Sequence, residues 1–219
     1  RQQIHAAGIF LPLNPPDVIE TCLDKARLCR KLDELGFGPL RYVEVTDETG
    51  FDKVDFFPAV VKPCVGGGGS ANCYIVQDAT ELAGLASLLH LGESNQRFLI
   101  QEYAGVPEEE YTVGILHDLD GNYINGIAMH RSLSGQLNVR LRVPNRTGRK
   151  ELGPQLVIST GVSHGYVDRY ENVIAQCREI ASALGSRGPL NIQCRLVDGK
   201  VRVFEINPRF SGTTSIRAM

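Results

Sequence analysis

The sequence has little net charge, no long apolar run and no cysteines at metal-binding spacing, and each shortage removes a class of function. Twenty-three Lys and Arg against 25 Asp and Glu leave a formal charge of −2, so no overall field draws the chain to nucleic acid or to an anionic membrane. No apolar stretch approaches the length of a membrane-spanning helix, and residues 1–13 lack the pattern of a signal peptide. The six cysteines, at positions 22, 29, 64, 73, 177 and 194, include no C-x-x-C pair. Several lie inside apolar runs, which predicts reduced, mostly buried thiols in a cytoplasmic protein. No Ser-His or Cys-His device stands out as a nucleophile, and the glycines at 66–69 are not followed by the Gly-Lys-Ser/Thr of a Walker loop.

What the sequence does have is a chemically loaded hairpin at residues 188–209. Two β-rich runs flank Asp198-Gly199, a dipeptide that supplies positive φ at low cost. Ile192, Cys194 and Leu196 alternate on the first run, Phe204 and Ile206 on the second, marking one buried face. For these sets to share that face, paired residues need numbers of equal parity, which predicts an odd-length loop with Gly199 left-handed. The opposite face then gathers Asn191, Gln193, Glu205 and Asn207, with Arg209 just past the proline that ends the strand. Unpaired carboxylates gain nothing from a core, whereas oxygen ligands at this spacing suit a hard divalent cation that bridges phosphates. A sheet with one solvated face is the plainer explanation, and four ligand-type side chains followed by an arginine shift the balance to a metal site.

With 219 residues and 42% apolar content, the chain can bury a substantial core, as one large domain or as two lobes. Residues 17–35 follow helical spacing, with a restart at Asp24 as N-cap and Gly36 as terminator. Residues 56–63 read as a strand ending in Lys62. The four-glycine stretch with Ser70 then joins it to a second strand at 72–77, so a mobile flap is favoured over a domain linker. Residues 80–91 form a capped helix with Leu82, Leu85, Leu88 and Leu89 on one side. A strand at 97–103 turns at 104–107 into a hairpin about Asp120-Gly121, and a further strand at 137–143 carries Arg140 and Arg142 on one face. Residues 168–184 make the best helix, with Tyr170, Ile174, Cys177, Ala181 and Leu184 as its core stripe. Antiparallel strands mixed with helices give an α+β fold, and the break at 104–107 suggests two lobes with a ligand cleft between them.

In this order and at these distances the pieces resemble the ATP-grasp superfamily, in its carbamoyl-phosphate-synthase-large-subunit-like, carboxylate–amine ligase branch. They are Asp24-Lys25, Val61-Lys62-Pro63 with the glycines and Ser70, Gln101-Glu102-Tyr103 with Glu110-Tyr111, Asn191-Ile192-Gln193, and Glu205 through Arg209. The resemblance implies two lobes with the nucleotide between them: a small lid lobe at 24–104 and a large lobe with the metal site at 105–219, behind a tail (1–23) of a further N-terminal domain. It implies that Lys25 and Lys62 contact nucleotide phosphates and that Gly67, Gly68, Gly69 and Ser70 close over them. Gln101, Glu102, Tyr103 and Ala104 would form the adenine-reading hinge, and Glu110 would accept from the ribose hydroxyls. Gln193, Glu205 and Asn207 would hold one or two Mg²⁺ ions, with Mn²⁺ as a substitute, and Arg209 would face the transferred phosphoryl group.

The implied activity is ATP-dependent activation of a carboxylate as an acyl phosphate, followed by attack of an amine. Arg131, Arg140 and Arg142 are candidates to cradle the carboxylate. A phosphotransferase, or a non-catalytic nucleotide-binding module of a larger synthase, is the alternative. Small-molecule carboxylate and amine are the expected partners, with no nucleic acid or membrane, and a homodimer or further domains fit the same picture. After Asn207-Pro208-Arg209 the chain continues Phe-Ser-Gly-Thr-Thr-Ser, unlike the Arg-Ser-Ser type of carbamoyl-phosphate synthases, which argues against bicarbonate as the acid.

Overall fold

The computed structural model describes residues 6–8, 12–66, 68–90 and 96–213. Its first element signals are punctuation. Pro16 opens helix α1 (Pro16–Leu23), and helix α2 (Lys25–Glu34) restarts at once because Asp24 leaves helical geometry and its Oδ1 accepts from the backbone N–H groups of Ala26 and Arg27, both at 3.0 Å. Such caps satisfy donors that a helix start leaves open. Gly36, at φ +77°, ends α2 as expected.

The small lobe is a four-stranded antiparallel sheet built from β1 (Tyr42–Val45), β2 (Ala59–Pro63), β3 (Tyr74–Val76) and β4 (Phe98–Glu102), in the order β1-β4-β2-β3. Helix α3 (Ala79–Leu88), capped by Asp78, covers one face. Ala59, Val61, Phe98 and Ile100 bury against Val76, Phe56 and Leu82 on that face. Because side chains alternate along a strand, Lys62 and its neighbour Gln101 point to the other. The leucine stripe expected on α3 is narrower than the sequence suggests: Leu82 is buried, while Leu88 is 75% exposed.

The large lobe is a five-stranded antiparallel sheet made of β5 (Glu110–His117), β6 (Tyr123–Arg131), β9 (Gly165–Asp168), β10 (Pro189–Val197) and β11 (Lys200–Asn207), in the order β11-β10-β5-β6-β9. Helix α4 (Glu171–Ala183) packs on one face through Val173, Cys177, Ile180 and Ala181, against Val113, Ile115, Ile192 and Cys194. A separate ribbon of β7 (Val139–Pro144) and β8 (Gln155–Ser159) lies between the sheets. Its Leu152–Leu156 end clusters with Tyr103, Val60 and Ile75 and so ties the lobes together. Strands β1, β8 and β9 were not foreseen; they are four or five residues long and none alternates cleanly between buried and exposed positions.

Helix α2 serves both lobes. Leu28 and Leu32 join Val18 and Cys22 of α1 in the large-lobe core, whereas Ala26 and Cys29 pack with Cys64 and Leu99 of the small lobe. Residue 24 therefore divides two helices that share one core. All six cysteines are free thiols, five of them buried, and burial pushes the Cys22 and Cys64 thiols up to about 12. Among the described residues no helix is long and apolar enough to cross a membrane.

The final hairpin reaches equal parity by a route other than the one expected. Val197 pairs with Lys200, so the loop holds only Asp198 and Gly199, at φ +50° and +74°, as tight primed turns require. Pairs Arg195–Arg202 and Cys194–Val203 have opposite parity. A bulge then inserts Phe204, and Gln193 faces Glu205, Ile192 faces Ile206 and Asn191 faces Asn207. The second buried set is thus Val201, Val203 and Ile206; Phe204, expected in the core, is the extra residue and lines the cleft instead. A bulge adds one residue to one strand and re-aims the side chains beyond it.

Candidate functional site

The cleft between the two sheets holds a cavity of about 80 Å³, lined from the small lobe by Lys25, Lys62, Ser70, Gln101 and Glu102 and from the large lobe by Glu110, Gln193, Arg195 and Glu205. A second cavity of about 110 Å³ continues it toward the end of β11, where Gly68, Gly69 and Ser70 meet Asn207 and Arg209. Gln193 and Glu205 line both, so the paired centre of the last hairpin is where they join.

Lys62 crosses the gap. Its Nζ donates to Gln101 Oε1 at 2.7 Å and to the Phe204 carbonyl at 2.9 Å, placing a small-lobe ammonium on the backbone beside Glu205. The side chain is buried, and burial holds its pKa below the ordinary lysine value, because the two acceptors that touch it are neutral. Lys25 donates to the Gly66 carbonyl at 2.9 Å, pinning the start of the glycine turn. That turn does connect two antiparallel strands, as the flap reading required. Gly69 sits at φ +68°, Ser70 at +62°, and Ser70 Oγ donates to the Ser159 carbonyl at 2.6 Å, landing the turn on β8. Gly67, expected to take part in phosphate contact, lies outside the described residues.

The hinge is braced from behind. Tyr103 N–H donates to the Pro58 carbonyl, and the Tyr103 hydroxyl accepts from Val157 N–H at 2.8 Å. Glu102 N–H donates to the Arg41 carbonyl, and the Glu102 carboxylate lies 3.6 Å from Arg149. The Arg195 guanidinium sits 4.6 Å from the Tyr103 ring centroid and donates to the Ala104 and Gly105 carbonyls at 3.3 and 3.4 Å.

Glu110 lies between two arginines. Its Oε1 accepts from Arg131 at 2.9 Å and its Oε2 accepts twice from Arg195, at 3.1 and 3.2 Å. The carboxylate is 1% exposed. With roughly four lone-pair positions on a carboxylate, one on Oε1 is left beyond these three bonds.

Gln193, Glu205 and Asn207 project from two paired strands, and Asn207 Nδ2 donates to Glu205 Oε1 at 3.2 Å. Among the described residues no three His, Cys, Asp or Glu side chains cluster to hold a metal. The donor set is one carboxylate and two amide oxygens, all hard. It fits Mg²⁺ or Mn²⁺ that completes its shell with phosphate oxygens and water. Asn191 is occupied, its Oδ1 accepting from Thr112 Oγ1 at 3.0 Å. Arg209 is exposed at the mouth, and one of its N–H groups donates to the Phe210 carbonyl.

The three candidate substrate arginines do not come together. Arg131 is buried, shared among Glu110, Ser159 Oγ and the carbonyls of Thr160 and Val162. Arg140 and Arg142 are exposed on one face of β7, as the sequence suggested. Only Arg142 shares a cavity with Arg131, and that cavity is neither of the two in the cleft. Sequence reasoning missed Arg195 and Ser159. Arg195 had a signal: it continues the parity of Asn191 and Gln193 on β10. Ser159 had none, because a carbonyl that receives the glycine turn can belong to any residue.

A family profile described as "ATP-grasp in the biosynthetic pathway with Ter operon" matches residues 158–219. The carbamoyl phosphate synthase large chain of Halomonas eurihalina is 26% identical over 215 residues, covering 97% of this chain and 18% of that protein. The chain thus spans under a fifth of the length of that curated relative. D-alanine–D-alanine ligase from Bacillus anthracis, solved in complex with ATP, superposes with a TM-score of 0.65 at 20% identity, over 99% of this chain and 68% of that one. The biotin carboxylase domain of Hydrogenobacter thermophilus 2-oxoglutarate carboxylase, solved with MgADP, ADP and bicarbonate, gives 0.64 at 16% identity, over 96% and 45%. The chain has the ATP-grasp fold, and its sequence likeness is to the carbamoyl phosphate synthase side of that superfamily.

Proposed function

We propose, with the ATP-grasp fold as premise, that this chain is the nucleotide-binding and phosphoryl-transferring part of a Mg²⁺-dependent carboxylate–amine ligase. The observation that carries this reading is Lys62. A small-lobe ammonium bonded only to neutral acceptors reaches the backbone next to Glu205, so both lobes present their charges to one point, where nucleotide phosphates would lie. Phosphoryl transfer asks a protein for positioning and charge neutralisation more than for covalent chemistry.

Lys62 and Lys25 would bind phosphate oxygens, Lys25 exchanging the Gly66 carbonyl for a phosphate. Gly67 to Gly69 and Ser70 would close over the terminal phosphates, excluding water. Gln101, Glu102, Tyr103 and Ala104 would read the adenine, and Glu110 would accept one ribose hydroxyl at its remaining Oε1 position. Mg²⁺ held by Glu205, Gln193 and Asn207 would supply further positive charge against the phosphates. Arg209 would steady the transferred group. The carboxylate oxygen of the acid attacks the terminal phosphorus as the bond to ADP breaks; the amine then attacks the acyl carbon, the acyl C–O bond breaks with its electron pair going to the departing phosphate, and that phosphate takes up the proton the nitrogen loses.

A nucleotide-binding module without turnover is the second reading, favoured by the single carboxylate at the metal position. A phosphotransferase on the same scaffold would release the phosphorylated acid without an amine. The discriminating experiment follows ADP and phosphate release with Mg-ATP and pools of carboxylates and amines. Release that needs both acid and amine supports the ligase, and release with acid alone supports the phosphotransferase. Nucleotide binding with no release from a protein carrying all its flanking domains overturns both.

A further inference from the structure

We propose that the cavity lined by Arg131, Arg142 and β8 is a binding site for a small aliphatic carboxylate, separate from the nucleotide cleft. It encloses about 320 Å³, enough for a molecule of amino-acid size, and two kinds of surface line it. Leu133, Pro154 and Val157 supply an apolar wall; Arg131, Arg142 and the serine hydroxyls supply the polar one.

The polar side is built but not fully used. Arg131 is 3% exposed, and four of its five N–H bonds are placed, on Glu110, Ser159, Thr160 and Val162. The fifth donor, Nε–H, has no acceptor among the described residues but no accessible area either, so it lies behind the cavity wall and does not face the cavity. Arg142, exposed at the rim, donates to the Leu133 carbonyl and to Gln155 Oε1, both uncharged, so among the described residues its positive charge has no carboxylate partner. Ser132 and Ser134 bond to each other at 3.1 Å, which uses one of their two hydroxyl protons. Glu108 is the one carboxylate in the lining, against two guanidiniums.

An acid with a short apolar body matches both surfaces: its oxygens accept from the Arg142 guanidinium and the serine hydroxyls, and its chain covers Leu133 and Val157. Free phosphate would meet the same donors but gain nothing from the apolar wall. Val157 is shared with the nucleotide cleft and Arg131 with the phosphate-side cavity, so both residues act as partitions. An acid bound here stays apart from the transferred phosphoryl group. It lies against Arg131, which holds Ser159, the residue on which the glycine turn lands.

Calorimetric titration without nucleotide tests this, using butyrate and, in parallel, inorganic phosphate, against the wild-type chain, Arg142→Gln and Lys62→Met. Saturable butyrate binding is expected, tighter than phosphate, unchanged by Lys62→Met and weakened roughly tenfold or more by Arg142→Gln. No saturable heat, phosphate binding tighter than butyrate, or loss of binding in Lys62→Met with Arg142→Gln unaffected overturns the proposal. Amide chemical-shift changes on wild-type protein give an independent reading. Changes centred on residues 132–134 and 155–157 uphold the site, whereas changes centred on 66–70 and 205–209 overturn it. Because no ATP is present, this outcome is independent of whether the ligase reading holds.

Discussion

Two buried cations face each other across the cleft and are treated in opposite ways. Arg195 lies against a carboxylate: Glu110 takes two of its bonds, and carbonyls of the hinge and of β8 take the rest. Although burial works against its charge, Glu110 and Tyr103 more than offset it, and its pKa stays above the ordinary arginine value. Lys62 has only an amide oxygen and a peptide carbonyl as bonding partners, and burial drags its pKa down. A charge already neutralised by the protein is committed to the fold, while a charge left with neutral partners can still take an anion, the role proposed above for Lys62.

The largest effect should come from breaking the first arrangement. Glu110→Gln leaves two buried guanidiniums without their shared carboxylate and should lower the unfolding free energy in urea by about 3–5 kcal/mol. Lys62→Met is the matched test: stability should hold or rise, since an apolar chain replaces a buried, weakly compensated charge. Nucleotide turnover should nevertheless fall roughly 10²–10³-fold, and Glu205→Ala should lose turnover with the fold kept. If Lys62→Met destabilises as much as Glu110→Gln, the two cations are equivalent and the contrast is void.

A smaller effect sharpens the Arg195 side. Gly105 sits at φ +69°, and an added Cβ would lie 2.8 Å from Val197 Cγ2, so Gly105→Ala should cost about 1–3 kcal/mol while loosening the hinge carbonyls that Arg195 holds. The pH response separates the pair again. With the native Lys62 pKa below its unfolded value of 10.5, the unfolded chain binds more protons in the interval between the two. Its contribution to stability therefore rises with pH through that interval. The difference between wild type and Lys62→Met should accordingly narrow on approaching pH 10.5, while Arg195, with a raised pKa, adds no slope there. The least effect belongs to exposed pairs: removing Glu20, which bonds Arg27 at the surface at 3.0 Å, should change stability by about 0–1 kcal/mol.

Which parts were legible depends on how local their causes are. Asp24 announced a helix restart because a cap is made with the backbone two and three residues on. Lys62 was legible as the last residue of an apolar strand, and the Gln193, Glu205, Asn207 face as an alternation conflict. Phe204 misled because a bulge makes an alternation count fail midway, and a bulge is not written in any one residue. The arginines at 131, 140 and 142 looked like one set on two nearby strands, and their separation depends on where the β7–β8 ribbon docks.

The sequence by itself determined most of the strands, the Asp24 cap and the identity of the charged and oxygen-bearing side chains, since period-two burial and helix capping act over a few residues. Only the tertiary structure decided what each charge meets. Glu110 is neutralised by two arginines and Lys62 is left with neutral acceptors through partners 21 to 142 residues away. Distances of that kind are set by how two sheets and a ribbon pack, which no local pattern encodes.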